Sequence, residues 1–312
     1  MSLYIGNDKI GSLYLGSTKI KEAWVGDVKV YGSGDPYNPL NLPPFTIRCK
    51  FTQGYTPTMG DSQTLVDSTE NVWDIYKNST DWSLLFAVDY DLVEVLGANT
   101  SSCTDMSNMF FYCSSLTTVP LFDTSSCTNM DSMFHQCSSL TTVPLFDTSS
   151  CTDMSEMFQE CSSLTSVPLF DTSYCTNMSE MFRNCSSLTS VPLFDTSSCT
   201  AMILMFHGCS SLTTVPLFDT SYCTNMSNMF DHCSSLTTVP LFDTSSCYNM
   251  SYMFRDCTNV QSGALALYQQ ASTQDNPPSH HYKTFDGCGS NAVTGAAELA
   301  QIPQSWGGLA PG

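Results

Sequence analysis

The chain has 312 residues, 42% of them hydrophobic, which is enough to bury a sizeable core and excludes disorder as its general state. Only 12% are charged, and a formal net charge of −19 excludes nucleic acid or an anionic membrane surface as partner, because both need clustered Lys and Arg. No uninterrupted apolar run approaches the roughly 18 residues of a membrane span, so no membrane insertion is expected.

Residues 1–34 hold four of the ten basic residues, Lys9, Lys19, Lys21 and Lys29, and a short repeat: Tyr4-Ile-Gly6, Tyr14-Leu-Gly16 and Trp24-Val-Gly26, followed by Lys9-Ile10, Lys19-Ile20 and Lys29-Val30. Alternation punctuated by Gly predicts β-hairpins, an element with too little core to stand alone and therefore suited to attachment. The opening residues lack a basic segment followed by an apolar stretch, so no secretion signal is expected. The phrase Tyr14-Leu-Gly-Ser-Thr-Lys-Ile20 is similar to amino-terminal segments of bacteriophage tail and other virion proteins. That resemblance implies contact with other virion proteins through residues 1–34.

By composition 35–44 is a linker. Residues 45–90, with Phe45–Phe51 as a strand and Trp73 and Trp82 as apolar anchors, are expected to cap the repeats that begin at 91. From 91 to 262 the chain repeats every 24 residues, with Pro-Leu-Phe-Asp-Thr beginning at Pro120, Pro144, Pro168, Pro192, Pro216 and Pro240. In each unit Leu116-x-x-Val119-x-Leu121 has the spacing of a short inward-facing strand, and Met130, Met133 and Phe134 have helical spacing. Such a unit cannot bury its apolar side alone. The fold class predicted is therefore an α/β repeat, a right-handed leucine-rich-repeat solenoid with a parallel sheet on one face, helical turns on the other, and a small N-terminal β-hairpin module. Leu92-x-x-Val95, Phe285-x-x-Cys288 and Leu299-x-x-Ile302 read as degenerate flanking units. Residues 263–312 form the C-terminal cap, with a helix over Ala264–Ala271 and a loop at Asn276-Pro-Pro-Ser279.

The run Met133-Phe-x-x-Cys137-Ser-Ser-Leu140-Thr resembles the units of BspA-like leucine-rich-repeat surface proteins, a likeness that covers about 90–305. It implies a binding protein of the adhesin type and leaves the ligand open.

Fourteen of the sixteen cysteines recur at alternating intervals of 10 and 14, from Cys103 and Cys113 to Cys247 and Cys257. Stacking turns them into two columns. Buried thiols are favoured over a disulfide framework, and no Cys-x-x-Cys supports zinc. Asp123, Asp147, Asp171, Asp195, Asp219 and Asp243 form an acidic column, read as Asp-Thr-Ser turns, with calcium bridging as the alternative. His135, His207, His232, His280 and His281 are read as solvated polar residues, and no catalytic motif occurs. The pair before each repeat Cys varies freely, from Phe111-Tyr112 to Arg255-Asp256, and is expected to face solvent. Ile203 and Leu204 are a candidate apolar contact spot.

Strand alternation would direct Phe122, Phe146, Phe170, Phe194, Phe218 and Phe242 outward as an aromatic binding stripe; a bend after Leu121 would instead fold them into the core. The functional expectation is a protein that is not an enzyme and uses no cofactor, a virion component displaying a repeat surface. The alternative is a bacterial adhesin at the cell surface. Its partner would be a protein or glycan on a cell surface, or a second copy in a homo-oligomer.

Overall fold

The computed structural model describes residues 40 and 42–311 of the chain and, before them, the backbone of six short strands. β1 (Tyr4–Ile5) pairs antiparallel with β2 (Asp8–Lys9), β3 (Tyr14–Leu15) with β4 (Thr18–Lys19), and β5 (Ala23–Val25) with β6 (Val28–Tyr31). These are the hairpins that the Gly-punctuated alternation demands. Residues 35–39 and 41 of the expected linker lie outside the described residues. Its end is docked rather than free: Leu42 is buried and its carbonyl accepts from Asn99 Nδ2 at 3.1 Å.

Four longer strands follow: β7 (Thr46–Phe51), β8 (Ser62–Asp67), β9 (Val72–Tyr76) and β10 (Leu92–Ala98). They make an antiparallel sheet in the order β10-β7-β9-β8. β7 alternates as a half-buried strand should, with Ile47, Cys49 and Phe51 inward and Arg48 held outward by a bidentate pair with Asp74 at 2.6 and 2.8 Å. β10 is the junction with the repeats. One edge pairs with β7, while the other joins the first unit in parallel, with Glu94 bridged to Thr118 and Thr117 N–H donating to Val93 at 3.0 Å.

The stack begins at 81 rather than 91, because 81–89 already has the shape of a unit. Parallel bridges link Asp81 to Asp105, Asp105 to Asn129, and so on through Asp153, Asn177, Ala201 and Asn225 to Asn249, which bridges His280. Translation by one 24-residue unit thus brings equivalent residues side by side.

Within the unit two expectations are corrected. Met130, Met133 and Phe134 do point inward, but their segment is not helical. Ser132 and Gln136 have φ of 54° and 59°, and the equivalent residues of the other units share this left-handed conformation. The N–H groups of Met130, Ser132, Phe134 and Gln136 donate to the next unit at 2.7–3.2 Å, so they cannot run up a helix axis. Each left-handed non-Gly residue costs on the order of 1 kcal/mol, offset by the bond its peptide makes with the neighbouring unit.

The parallel sheet, too, is reduced to a line of single bonds. Thr165 N–H donates to Thr141, Thr189 to Thr165, Thr213 to Thr189 and Thr237 to Thr213 at 3.0–3.5 Å. A proline three residues later, such as Pro168, has no N–H with which to continue the ladder.

The core is built of columns. Phe86, Phe110, Phe134, Phe158, Phe182, Phe206, Phe230, Phe254 and Phe285 stack with ring centroids 5.1–6.0 Å apart and planes within 10° of parallel. Paired Met columns and Leu116 with its equivalents fill the space beside them, all fully buried.

At the C-terminal end α1 (Ala264–Thr273) and α2 (Val293–Leu299) cover the last unit. Glu298 accepts from the N–H groups of Gly263 and Leu265 at 3.3 and 3.1 Å, satisfying free donors at the start of α1. Phe285-x-x-Cys288 and Leu299-x-x-Ile302, whose spacing fits the strand pattern, are corrected, since the first lies in a run of turns and Leu299 closes a helix. Leu299 and Ile302 are nevertheless buried, and Trp306 lies over His281 at 4.2 Å and Phe285 at 6.5 Å to shut the stack.

Candidate functional site

The outer face is shaped by the Pro-Leu-Phe-Asp-Thr segment. Phe146 N–H donates to Pro144 at 3.0 Å, and the same bond recurs at Phe170, Phe194, Phe218 and Phe242 at 3.0–3.1 Å. A bond from residue i+2 to residue i closes a tight turn centred on the leucine. The turn reverses the alternation assumed for a straight strand. The exposed aromatic stripe is therefore corrected: Phe122, Phe146, Phe170, Phe194, Phe218 and Phe242 are at most 2% exposed and form a second internal column. Leucine takes the outward place. Leu145, Leu169, Leu193, Leu217 and Leu241 are 48–59% exposed, an apolar row along five units.

Beside that row runs the acidic column. Asp147 Oδ1 accepts from the hydroxyl and N–H of Ser149 at 2.6 and 3.1 Å, and Asp123, Asp171, Asp195 and Asp219 do the same with their own serines. Asp243 accepts from Ser245 N–H at 2.8 Å. One oxygen of each carboxylate thus holds its own turn. The Ser197 hydroxyl, helped by its N–H, keeps Asp195 below the ordinary carboxylate range, and Ser221 does so for Asp219. Two further exposed groups on this side, Tyr174 and Tyr222, escaped sequence reasoning. Their signal was present: they replace the serine found at 126, 150, 198 and 246.

All sixteen cysteines are free and buried. Cys137 Sγ donates to the Phe110 carbonyl at 3.1 Å and Cys161 to Phe134 at 3.0 Å, a bond repeated down that column. The other column turns to its own unit, with Cys127 Sγ 3.2 Å from the Asn129 carbonyl. Burial pushes the thiols up, to about 11 for Cys127, Cys199 and Cys247 and about 12 for Cys103, Cys175 and Cys223. Thiols held this firmly protonated are poor nucleophiles.

The variable pair before each Cys is corrected as well. His135, Gln159 and Asp231, its first members in three units, are buried. Stacking places them in one polar column, satisfied by its own members and by the residues three positions earlier in each unit. His135 Nδ1 sits 3.2 Å from Glu156, and Arg183 donates to Glu180 at 2.8 Å. Asp231 receives Arg255 at 2.8 and 2.5 Å, with His232 Nδ1 at 2.7 Å and His207 Nδ1 at 3.3 Å. Burial pushes the Asp231 carboxyl up, but His207 and the Arg255 guanidinium pull it down further, and it lies below the ordinary range. His207 and His232 are therefore parts of a structured cluster, not plain solvated groups. Ile203 and Leu204 are half-buried, and their backbones bond Glu180 and Ser227 at 2.8 and 3.0 Å. They are part of the stack more than a separate spot.

No curated protein matches the chain. Solved structures that it resembles are bacterial leucine-rich-repeat proteins. One, from T. pallidum, is 18% identical over 55% of this chain and 75% of that one, with a TM-score of 0.37. Another, from Eubacterium ventriosum, is 17% identical over 70% of this chain and 48% of that one, with a TM-score of 0.29. A leucine-rich cell-surface protein from Faecalibacterium prausnitzii is 15% identical over 87% of this chain and all of that one, with a TM-score of 0.22. The amino-terminal likeness to phage tail proteins has no support among these comparisons. A family model matches residues 80–191 and again 165–266, between them more than half of the chain and the same span that the structure builds from stacked units. The chain belongs to the family described as Mycoplasma protein of unknown function, DUF285.

Proposed function

We propose that the chain is a non-catalytic binding protein of the bacterial cell-surface type, holding a protein partner on the outward leucine row and the acidic column beside it. The observation that carries this reading is the leucine row itself. Five large apolar side chains in register, each about half exposed, form a contiguous strip of the kind that marks an interface more often than a bare surface. Carboxylates along one side of the strip, within a segment (101–258) whose basic residues are Arg183 and Arg255, favour a partner that offers apolar groups flanked by Lys or Arg. The virion reading has only the short amino-terminal phrase behind it, and the adhesin reading is preferred. Among the described residues no helix is long and apolar enough to cross a membrane.

The test uses the full chain and a triple variant, Leu145→Ser, Leu193→Ser and Leu241→Ser. Fluorescently labelled protein is applied to a panel of bacterial and animal cells, and self-association is followed by sedimentation. Retention on at least one cell type is expected to fall about tenfold or more in the variant, with the unfolding midpoint unchanged, and to weaken as salt rises. Equal retention by two proteins of equal stability would remove the leucine row from the reading.

A further inference from the structure

His207, Asp231 and Arg255 occupy the same position in three successive units, and His232 and Asp256 the position after it. Unit-by-unit stacking therefore gathers them. His207 Nδ1 lies 3.3 Å from Asp231 Oδ2, His232 Nδ1 lies 2.7 Å from Asp231 Oδ1, and the three donor atoms are all within 4.8 Å of one another. Among the described residues this is the one group of three His, Cys, Asp or Glu side chains so arranged. The earlier units pair Phe111 with Tyr112, His135 with Gln136, Gln159 with Glu160 and Arg183 with Asn184, so the gathering is particular to this end of the stack.

Two features point beyond a structural ion pair. His207 Nδ1 is buried and makes no well-formed hydrogen bond, its one close polar neighbour being Asp231 Oδ2 at 3.3 Å. A buried polar atom left in this way calls for a partner that the protein does not supply. In addition, His232 presents Nε2 to Asp256 Oδ2 at 3.5 Å, so the ring already has a carboxylate behind it when Nδ1 faces Asp231. A carboxylate on the far nitrogen is how a metal-binding imidazole is usually oriented.

We propose that His207, Asp231 and His232 bind a divalent transition-metal cation of the zinc class through His207 Nδ1, one Asp231 oxygen and His232 Nδ1, with water completing the shell. Two imidazoles and one carboxylate suit such ions, whereas calcium and magnesium take oxygen ligands throughout. With bonds near 2.0–2.2 Å, tetrahedral ligands stand roughly 3.4 Å apart. The present separations of 3.3 and 2.7 Å run to different oxygens of Asp231, so a single bound ion requires His232, which is about half exposed, to turn toward the oxygen that His207 faces. Each ring would bind as the neutral imidazole through Nδ1, with its one ring proton on Nε2, which in His232 faces Asp256, so no other reactant is involved.

Arg255 is the competitor. Its guanidinium holds both oxygens of Asp231 while stacked over Tyr252 at 4.7 Å, and a metal ion must take one of them. The site is consequently weakened by a residue of its own column, and removing that residue should tighten it.

The test titrates the full-length protein, kept reduced with a non-chelating phosphine, with Co²⁺ alone and then with Zn²⁺ alone. One equivalent of Co²⁺ is expected to bind saturably and give visible bands without thiolate-to-cobalt charge transfer, and Zn²⁺ should displace it. His232→Ala, at a half-exposed position where the fold tolerates change, should weaken Co²⁺ binding on the order of 100-fold. Arg255→Ala should tighten it about tenfold, each variant being checked for native unfolding behaviour. Absence of saturable binding by the wild-type protein overturns the proposal. So does a thiolate charge-transfer band, which would put the ion on cysteine, or affinity unchanged by His232→Ala. Unchanged or weaker binding by Arg255→Ala would take Asp231 out of the ligand set and overturn the three-ligand site.

Discussion

Neighbouring residues in one short segment have opposite fates: Phe170 is 2% exposed and Leu169 is 57% exposed. The energetic difference should be large. Phe170→Ala leaves a cavity between aromatic neighbours and is expected to cost about 3–5 kcal/mol. Leu169→Ala removes a side chain already in water and should stay within about 0.5 kcal/mol. Urea unfolding of the two variants measures this, and comparable losses would contradict the turn that separates them. The sequence contains all the relevant residues but not the tight turn at leucine, because strand alternation is a rule for straight chain. A Pro-Leu-Phe run with its Phe N–H bonded back to Pro has a reversed face, and nothing in its spacing announces the reversal. Cysteine was easier to read. Its burial follows from small size and periodic place alone, with no knowledge of the local backbone.

At the scale of the repeat, a buried threonine ties unit to unit. Thr172 Oγ1 donates to the Asp195 carbonyl at 2.7 Å, and Thr124, Thr148, Thr196 and Thr220 make the same bond at 2.7–2.8 Å. Thr172→Val keeps the shape but leaves that carbonyl without the hydroxyl, at an expected cost of about 1–3 kcal/mol, while Thr172→Ser should recover most of it. Thermal melting of both variants decides the matter; a Val variant as stable as wild type would show that the bond contributes nothing net. The 24-residue period and the inward Met and Phe positions were legible, since apolar pattern reports which side chains point inward. The conformation between those positions was not. Helical spacing of Met130, Met133 and Phe134 is met equally well by successive turns with left-handed residues at Ser132 and Gln136, and the choice depends on hydrogen bonds to a neighbouring unit that one unit cannot display. The cluster around Asp231 was hidden for a related reason. Its members stand 24 residues apart, and they become one group only after the stacking register is known.

Taken as a whole, the molecule stores its thiols in a nearly ion-free interior. A thiol with a raised folded-state pKa contributes its full share of stability below the ordinary value of about 8.5, and loses it as pH rises toward the folded value, because the unfolded chain then ionises first. For Cys127, Cys199 and Cys247 that window runs up to about 11, and for Cys103, Cys175 and Cys223 up to about 12. Each thiol contributes a slope of up to about 1.4 kcal/mol per pH unit, and a domain's whole stability is only about 5–15 kcal/mol. Under reducing conditions the melting temperature should therefore be nearly level between about pH 6 and 8 and collapse between about 9 and 10. A melting temperature indifferent to that rise would show that the columns are wet. Native protein should likewise leave its thiols unreactive toward a thiol reagent until denaturant opens the stack.

The bonds between units have one more outcome, and it concerns heredity. A chain whose units are nearly interchangeable is encoded by DNA whose units are nearly interchangeable, so recombination between them adds or removes a whole turn of protein at a time. Each such event leaves the backbone bonds between units with partners, since these recur in every unit, whereas a side-chain pair such as Arg255 with Asp231 is kept only where its two units stay adjacent. Variants of different reach can then arise without passing through a misfolded ancestor, while the pair of His207 and His232, shared by two successive units, is kept only where those units remain neighbours.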